Sequence, residues 1–165
     1  YADNDTAQIN LTKEITARSI DPNRLIFGKR LSKPEYLARY RVADLFLDTH
    51  PYNAGTTASD ALRMGLPVLT YLGSSMVSRE AASVINAVNL PELITTNQEQ
   101  YESLAIELAT HPEKLKIIKD KLMSNLSTAS LYNTPLFTRH LESAYLTMYD
   151  RYHQGLDPDH IYVKH

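Results

Sequence analysis

Short apolar runs alternate with stretches of helical pattern in the first hundred residues, and this alternation constrains the fold more than any other feature. Apolar runs at residues 24–28, 44–49 and 67–73 predict three β-strands, and residues 92–95 could form one last short strand. Strands that alternate with helices of this length are typical of right-handed βαβ units. The sequence therefore predicts an α/β fold with a Rossmann-like parallel sheet.

The helices between the strands have recognisable ends. In the first, predicted over residues 32–42, Ser32 is a candidate N-cap and Glu35 stands at the capping-box position three residues later. The second is predicted over residues 56–64 and ends at Gly65, which a stop proline follows closely. These signals support the βαβ interpretation.

The remaining predicted helices flank this α/β core. They cover residues 6–20, 98–110, 113–126 and 135–152. In the last helix, Tyr145, Tyr149 and Tyr152 recur at helical spacing, and we expect them to be packing aromatics. We expect residues 1–165 to form a single domain, with an α/β part over about 1–95 and a helical part over about 96–165.

Composition excludes several classes of protein. The chain has no cysteine, which removes disulfide frameworks, thiolate zinc sites, iron–sulfur clusters and cysteine nucleophiles. With 17 Lys plus Arg against 19 Asp plus Glu, the net charge of −2 does not suit broad nucleic-acid binding. The six histidines form no H-x-x-H or H-E-x-x-H pattern, so we expect no metal site.

The sequence also predicts where in the cell the protein is located and whether the chain is a fragment. No apolar segment approaches the ~20 residues that span a bilayer, and the N-terminus lacks a signal-peptide pattern, so we expect a cytoplasmic protein without membrane contact. The polar start at Tyr1, without an initiator methionine, predicts a fragment cut from a longer protein.

The most informative loop follows the second predicted strand. There Gly55, Thr56 and Thr57 open a helix, and its unpaired N–H groups, positive dipole end and two hydroxyls suit a diphosphate. Asp60 lies one turn later and could accept both hydroxyls of a ribose. The alternative is that Thr56 only caps the helix and that Asp60 is a solvated side chain.

Two other loops precede helices on the same edge of the predicted sheet. Lys33, Tyr36 and Arg39 share one helix face, where two cations and an aromatic ring could hold a base or sugar. A basic solvated face with Tyr36 packed at its edge explains the same spacing. The loop at residues 73–79 could close over a ligand or be an ordinary polar loop. Asp48 is interpreted as a strand-edge or turn residue.

These residues resemble the C-terminal catalytic lobe of the O-linked N-acetylglucosamine transferase family, including its bacterial and SPINDLY-like relatives. The resemblance covers most of the chain. The matching segments are Arg24–Phe27, Lys33–Arg39, Ala43–Asp44, Leu47–Thr49, Asn53–Asp60, Gly65–Thr70, Ser78–Ser83, Leu90–Ile94, Leu131–Thr134 and Pro158–His160. Their order and spacing together make the match specific.

The resemblance implies a GT-B glycosyltransferase whose parent protein carries tetratricopeptide repeats and a second, N-terminal lobe. It implies that the parent moves N-acetylglucosamine from UDP-GlcNAc to Ser or Thr of acceptor proteins with inversion. No metal or cofactor would be needed, with the UDP-sugar as substrate. The catalytic groups would come from the missing lobe, so no catalytic residue is expected here and the fragment alone would be inactive.

By resemblance, the donor-binding residues divide into two sets. Lys33 and Arg39 would lie by the ribose and phosphates, while Thr56 and Thr57 would hold the diphosphate and Asp60 the ribose hydroxyls. Many relatives have His where this chain has Tyr36 and Gly55. Tyr36 can still stack on uracil, whereas Gly55 loses a diphosphate donor.

Two alternatives to this function remain open. The donor could be GDP-fucose, which would make the chain part of a protein O-fucosyltransferase like some SPINDLY-like relatives. The chain could instead be a non-catalytic interaction module whose nucleotide pocket is degenerate because of Gly55 and the missing lobe.

Overall fold

The computed structural model describes residues 4–163. The predicted cut at Tyr1 therefore lies outside the described residues. The chain divides into two compact units, one ending at Arg39 and one beginning at Tyr40.

The first unit contains two helices joined by an irregular segment. Helix α1 spans Asp5–Ala17, and the Asn4 side chain caps it by accepting a hydrogen bond from the Ala7 N–H at 2.7 Å. A single 3-10 turn covers Pro22–Arg24, and helix α2 spans Lys33–Arg39.

The strand predicted at residues 24–28 is wrong. Arg24 ends the 3-10 turn, the following residues are irregular, and the Ile26 side chain is 87% exposed. An apolar run becomes a strand only where a neighbouring strand pairs with its N–H and C=O groups. The described sheet has three strands, and residues 24–28 are not among them.

The second unit is built on that three-stranded parallel sheet. Strands β1 (Phe46–Leu47), β2 (Val68–Tyr71) and β3 (Ile94–Thr95) lie side by side in this order. The register aligns Phe46 with Val68 and Thr70 with Ile94. The sheet confirms the predicted Rossmann-like parallel arrangement, with strands shorter than the apolar runs suggested.

Helices connect the strands in βαβ order. Helix α3 (Thr56–Arg63) follows β1, and helix α4 (Glu80–Ala87) follows β2. Gly65 ends the α3 segment with φ at +81°, a left-handed conformation that a glycine adopts without strain. Residues of α3, β2 and α4, together with later leucines, form the buried core. Its largest members are Leu62, Leu69, Ile85, Leu90, Leu93 and Leu122.

The C-terminal part is helical, as predicted. Helix α5 spans Gln98–Thr110, α6 spans Pro112–Leu126 and α7 spans Thr134–His153. In α5 and α6, Leu108 and Leu122 are buried in the core.

The prediction that the tyrosines of α7 are packing aromatics is wrong for the described residues. Tyr145, Tyr149 and Tyr152 are 57%, 62% and 79% exposed, and no residue of α7 is buried. Tyr149 and Tyr152 contact only the ring of His153 among the described aromatic pairs. Helical spacing indicates which residues share a face, but it does not supply a surface that covers them.

Candidate functional site

A buried carboxylate organises the loop at the carboxyl end of β1. Asp48 is only 6% exposed, and its Oδ1 accepts hydrogen bonds from the N–H of Thr49 at 2.9 Å and of Ala54 at 2.7 Å. Its Oδ2 accepts a third from the Thr70 hydroxyl at 2.7 Å. Asp48 therefore joins both ends of the loop to the adjacent strand β2.

Further hydrogen bonds fix the same loop. Thr49 donates its hydroxyl to the Tyr52 carbonyl at 2.7 Å, and the Asn53 amide donates to the Thr49 carbonyl at 2.8 Å. The Asn53 N–H donates to the Val77 carbonyl at 2.9 Å, which ties this loop to the one after β2. The two loops at this sheet edge thus form one connected surface.

Helix α5 also contributes to this edge. The Tyr101 hydroxyl donates to the Asp48 carbonyl at 2.8 Å. Burial of the phenol, together with the nearby negative charge of Asp48, raises the pKa of Tyr101 to about 12. Tyr101 therefore remains a neutral donor well above physiological pH.

Helix α3 begins directly after this loop. Gly55 is its N-cap and provides no side-chain hydrogen bond, while Thr56 and Thr57 are exposed. A cavity of about 360 Å³ opens here, and its lining includes Thr49, Tyr52, Asn53, Gly55, Thr56 and Thr57. The first N–H groups of a helix have no intrahelical partner, so this cavity has the donors that an anion requires.

Asp60 lies one turn into α3 and is half-buried. Nearby, the Tyr132 hydroxyl donates to the Ser59 carbonyl at 2.8 Å, and the Arg63 guanidinium lies 5.6 Å from the Tyr132 ring centre. Burial is the main cause that raises the pKa of Tyr132, and the charge of Asp60 adds to it. Asp60 thus belongs to a polar cluster on the α3 face that also contacts residues near α7.

The first unit contains the other predicted residues. On α2, Lys33 Nζ lies 5.1 Å and Arg39 Cζ lies 6.0 Å from the Tyr36 ring centre. Lys33 is exposed, whereas Tyr36 and Arg39 are half-buried. The structure therefore confirms that two cations and one aromatic ring share a helix face, while their role remains a prediction.

Arg39 is held in place by the segment before α2. Its Nη1 donates to the Lys29 carbonyl at 3.1 Å, and a Cβ added to Gly28 would lie 2.6 Å from that same nitrogen. Gly28 therefore permits the close approach of the guanidinium to the backbone.

The start of α2 has the predicted polar contacts. Glu35 accepts hydrogen bonds from the Ser32 hydroxyl at 2.6 Å and from the Ser32 N–H at 3.1 Å. These bonds, the hydroxyl first, lower the pKa of Glu35. The Glu35 half of the predicted capping box is thus present.

The loop after β2 is an ordered turn. Met76–Ser78 forms a 3-10 turn, and the Ser78 hydroxyl accepts from the Ser75 N–H at 3.0 Å. A Cβ on Gly73 would lie 2.3 Å from the Ser78 hydroxyl oxygen, so glycine is needed for this packing.

Three residues near the start of α3 were missed as contributors to the site. From the sequence, Asp48 is interpreted only as a strand-edge or turn residue, although the polar end of its strand is a usable signal. Asn53 is 2% exposed, and its Oδ1 has no hydrogen-bond partner in the structure. Glu80 approaches Gly55 so closely that a Cβ added to Gly55 would lie 2.0 Å from its Oε1.

Neither a metal centre nor a membrane span is found among the described residues. Within residues 4–163, no three His, Asp or Glu side chains are grouped so that they could hold a metal ion. None of the helices in that range combines the length and apolar character that crossing a bilayer requires.

Comparisons with known proteins agree with the resemblance. The chain is similar to a solved structure of the Thermobaculum terrenum O-GlcNAc transferase mutant K341M, with a TM-score of 0.81 and 31% sequence identity. The match covers 88% of this chain and 28% of that protein's chain. Together with the parallel sheet, this match confirms the predicted fold class, the C-terminal lobe of a GT-B glycosyltransferase.

Sequence relatives are named as glycosyltransferases. The chain is 31% identical over 152 residues to the Caenorhabditis elegans UDP-N-acetylglucosamine–peptide N-acetylglucosaminyltransferase, covering 92% of this chain and 13% of the relative. It is 33% identical over 124 residues to a Hordeum vulgare protein named as a probable SPINDLY N-acetylglucosaminyltransferase, covering 75% of this chain and 13% of that relative. The chain thus spans only about an eighth of these relatives.

A protein-family model matches most of the chain. The model for glycosyl transferase family 41 matches residues 4–141, which include all seven predicted site residues. With the relatives and the structural match, this result shows that the chain belongs to glycosyl transferase family 41.

Proposed function

We propose that this chain is part of the donor-binding lobe of a glycosyltransferase that moves N-acetylglucosamine from UDP-GlcNAc to Ser or Thr of proteins. The observation that carries the proposal is the open start of α3, where Thr56 and Thr57 border a cavity next to a glycine N-cap. The name of the Caenorhabditis elegans relative supports this donor, because it gives UDP-N-acetylglucosamine as the donor and a peptide as the acceptor.

Each predicted residue has a role in the proposal. Thr56 and Thr57, with the first N–H groups of α3, bind the diphosphate, and Asp60 accepts the ribose hydroxyls. Lys33 and Arg39 neutralise donor phosphates or contact the ribose, and Tyr36 stacks on the base.

The transfer is an inverting displacement in this proposal. The acceptor oxygen forms a bond to the anomeric carbon while the bond from that carbon to the diphosphate oxygen breaks. The hydroxyl proton passes to a base outside this chain. Negative charge grows on the departing UDP, so donors fixed at the start of α3 stabilise the transition state more than the ground state.

We propose further that cationic side chains and helix N–H groups are sufficient to stabilise the negative charge on the departing UDP and that no metal ion is needed. In the full-length protein, UDP affinity and GlcNAc transfer should then be unchanged by a chelator. If a chelator abolishes UDP binding or GlcNAc transfer and a divalent cation restores it, the proposal that no metal ion is needed is wrong.

Binding of UDP tests the main proposal. Calorimetry on the full-length protein should detect UDP, and Thr57→Ala should weaken the affinity by about 10- to 150-fold, because a hydrogen bond to a charged group contributes ~1.5–3 kcal/mol. Thr134→Ala is the matched control, because Thr134 is exposed at the first position of α7. It should leave the UDP affinity unchanged.

The result also separates the alternatives. No binding of UDP or of UDP-GlcNAc would contradict the donor site and support a non-catalytic module. If GDP displaces UDP at much lower concentration and labelled fucose rather than N-acetylglucosamine is transferred, the donor assignment is wrong.

A further inference from the structure

The carboxylate of Glu80 lies at the start of α3. A Cβ built on Gly55 would lie 2.0 Å from Glu80 Oε1 and 2.9 Å from Oε2. Since Gly55 is the N-cap of α3, this carboxylate occupies the space that a side chain on the N-cap residue would need. Glu80 itself is an exposed residue at the first position of α4.

The packing of two helices explains this approach. Helices α3 and α4 contact each other, and both place small buried side chains in the core, including Ala58, Ala61 and Ala81. Small side chains let the helix backbones come close, and the missing side chain of Gly55 leaves space for the carboxylate. Any other residue at position 55 would have to displace it.

The negative charge of Glu80 affects which ligands can bind at the start of α3. A carboxylate is stabilised at a helix N-terminus by the helix dipole and the unpaired N–H groups. The proposed diphosphate would bind at this same end of α3. Two negative groups near one another repel.

We propose that Glu80 competes with the donor's diphosphate for the start of α3 and so sets donor affinity. This inference rests on the proposed function, because it concerns the same anion site. Glu80 must move away from Gly55, or tolerate the nearby phosphates, when a nucleoside diphosphate binds. The carboxylate therefore weakens binding of the diphosphate group and leaves recognition of the nucleoside unaffected.

Removing the charge should strengthen binding. An anion at a helix N-terminus is stabilised by an amount that corresponds to about a two- to fivefold change in an equilibrium constant. In the full-length protein at low ionic strength, Glu80→Gln should therefore bind UDP about two- to fivefold more tightly. The gain should shrink as salt is added, because salt screens exposed charges.

The experiment is calorimetry with UDP and with uridine as ligands. Glu99→Gln is the matched control, since it removes the same charge from the first turn of α5. The proposal expects tighter UDP binding for Glu80→Gln alone and no change for uridine with either variant. Unchanged UDP affinity in Glu80→Gln, an equal gain in Glu99→Gln, or an equal gain for uridine would overturn it.

A second variant tests the contact with Gly55. A methyl group in Gly55→Ala would displace the Glu80 carboxylate, so Glu80→Gln should have little further effect in that background. An effect of Glu80→Gln that is the same with and without the Gly55→Ala substitution would contradict the contact. Thr57→Ala distinguishes the two proposals: if it weakens UDP binding while Glu80→Gln changes nothing, only the inference about Glu80 fails.

Discussion

Replacing Thr70 by valine removes one of the three hydrogen bonds that hold the Asp48 carboxylate. Thr70 is fully buried, its hydroxyl donates to Asp48 Oδ2 at 2.7 Å, and valine has nearly the same shape. The substitution leaves a charged oxygen in a buried position without a donor. Hydrogen bonds to charged groups contribute ~1.5–3 kcal/mol, so the loop after β1 should open more easily by about this free energy.

Thr95→Val is the matched control for this change. Thr95 is also buried, but its hydroxyl donates to a neutral acceptor, the Thr70 carbonyl, at 2.9 Å. Loss of this bond should cost ~0.5–1.5 kcal/mol and should not release the Asp48 carboxylate.

Hydrogen exchange by mass spectrometry on the full-length protein measures both effects. In Thr70→Val, the amide of Ala54, which donates to Asp48 Oδ1 at 2.7 Å, should exchange about 10- to 150-fold faster. In Thr95→Val, exchange of residues 48–55 should change little. Equal exchange of this loop in the two variants would refute the role of Asp48 in organising the site.

Three other predictions concern single residues. In the folded state, the pKa of Tyr101 is raised to about 12. The phenol therefore contributes its full stabilisation below the ordinary tyrosine pKa, and this contribution is lost as the pH rises to about 12. In denaturation experiments over that pH interval, the Tyr101→Phe variant should lose less stability than the protein with Tyr101. Ser32→Ala removes a donor to Glu35, so the pKa of Glu35 measured by NMR should rise toward that of an ordinary glutamate, and an unchanged value would contradict the cap. Gly65→Ala places a side chain at φ +81°, and thermal unfolding should show a loss of ~1–2 kcal/mol; a loss near zero would contradict the left-handed turn.

The sequence predicted the parallel sheet because local signals and tertiary structure agree there. The apolar runs around Phe46 and Val68 are bounded by polar loops, and the strands that they form pair with each other. The run at residues 24–28 is also apolar but has no paired strand among the described residues, and the exposed Ile26 shows the consequence. Strand pairing is a tertiary property, so composition alone cannot separate the two cases.

The candidate site was predictable to the extent that it depends on local geometry. Thr56 and Thr57 follow a strand and open a helix, and Lys33, Tyr36 and Arg39 lie at helical spacing, so their shared faces follow from position alone. Their binding roles remain predictions.

Other parts of the site depend on contacts between distant positions. Asp48 bonds to Thr70, which is 22 residues away, and Glu80 reaches Gly55 from the next helix. No spacing rule indicates such pairs, because they depend on how α3, α4 and β2 pack. The exposed tyrosines of α7 illustrate the same limit, since the helical pattern identifies a face but not its surroundings.

A structure of the full-length protein with bound UDP is the decisive measurement for the donor site. The diphosphate should lie at the start of α3, with its oxygens within hydrogen-bond distance of the Thr56 or Thr57 hydroxyls or of the first N–H groups of the helix. A diphosphate bound elsewhere, with the start of α3 empty of ligand, would contradict the proposed donor site.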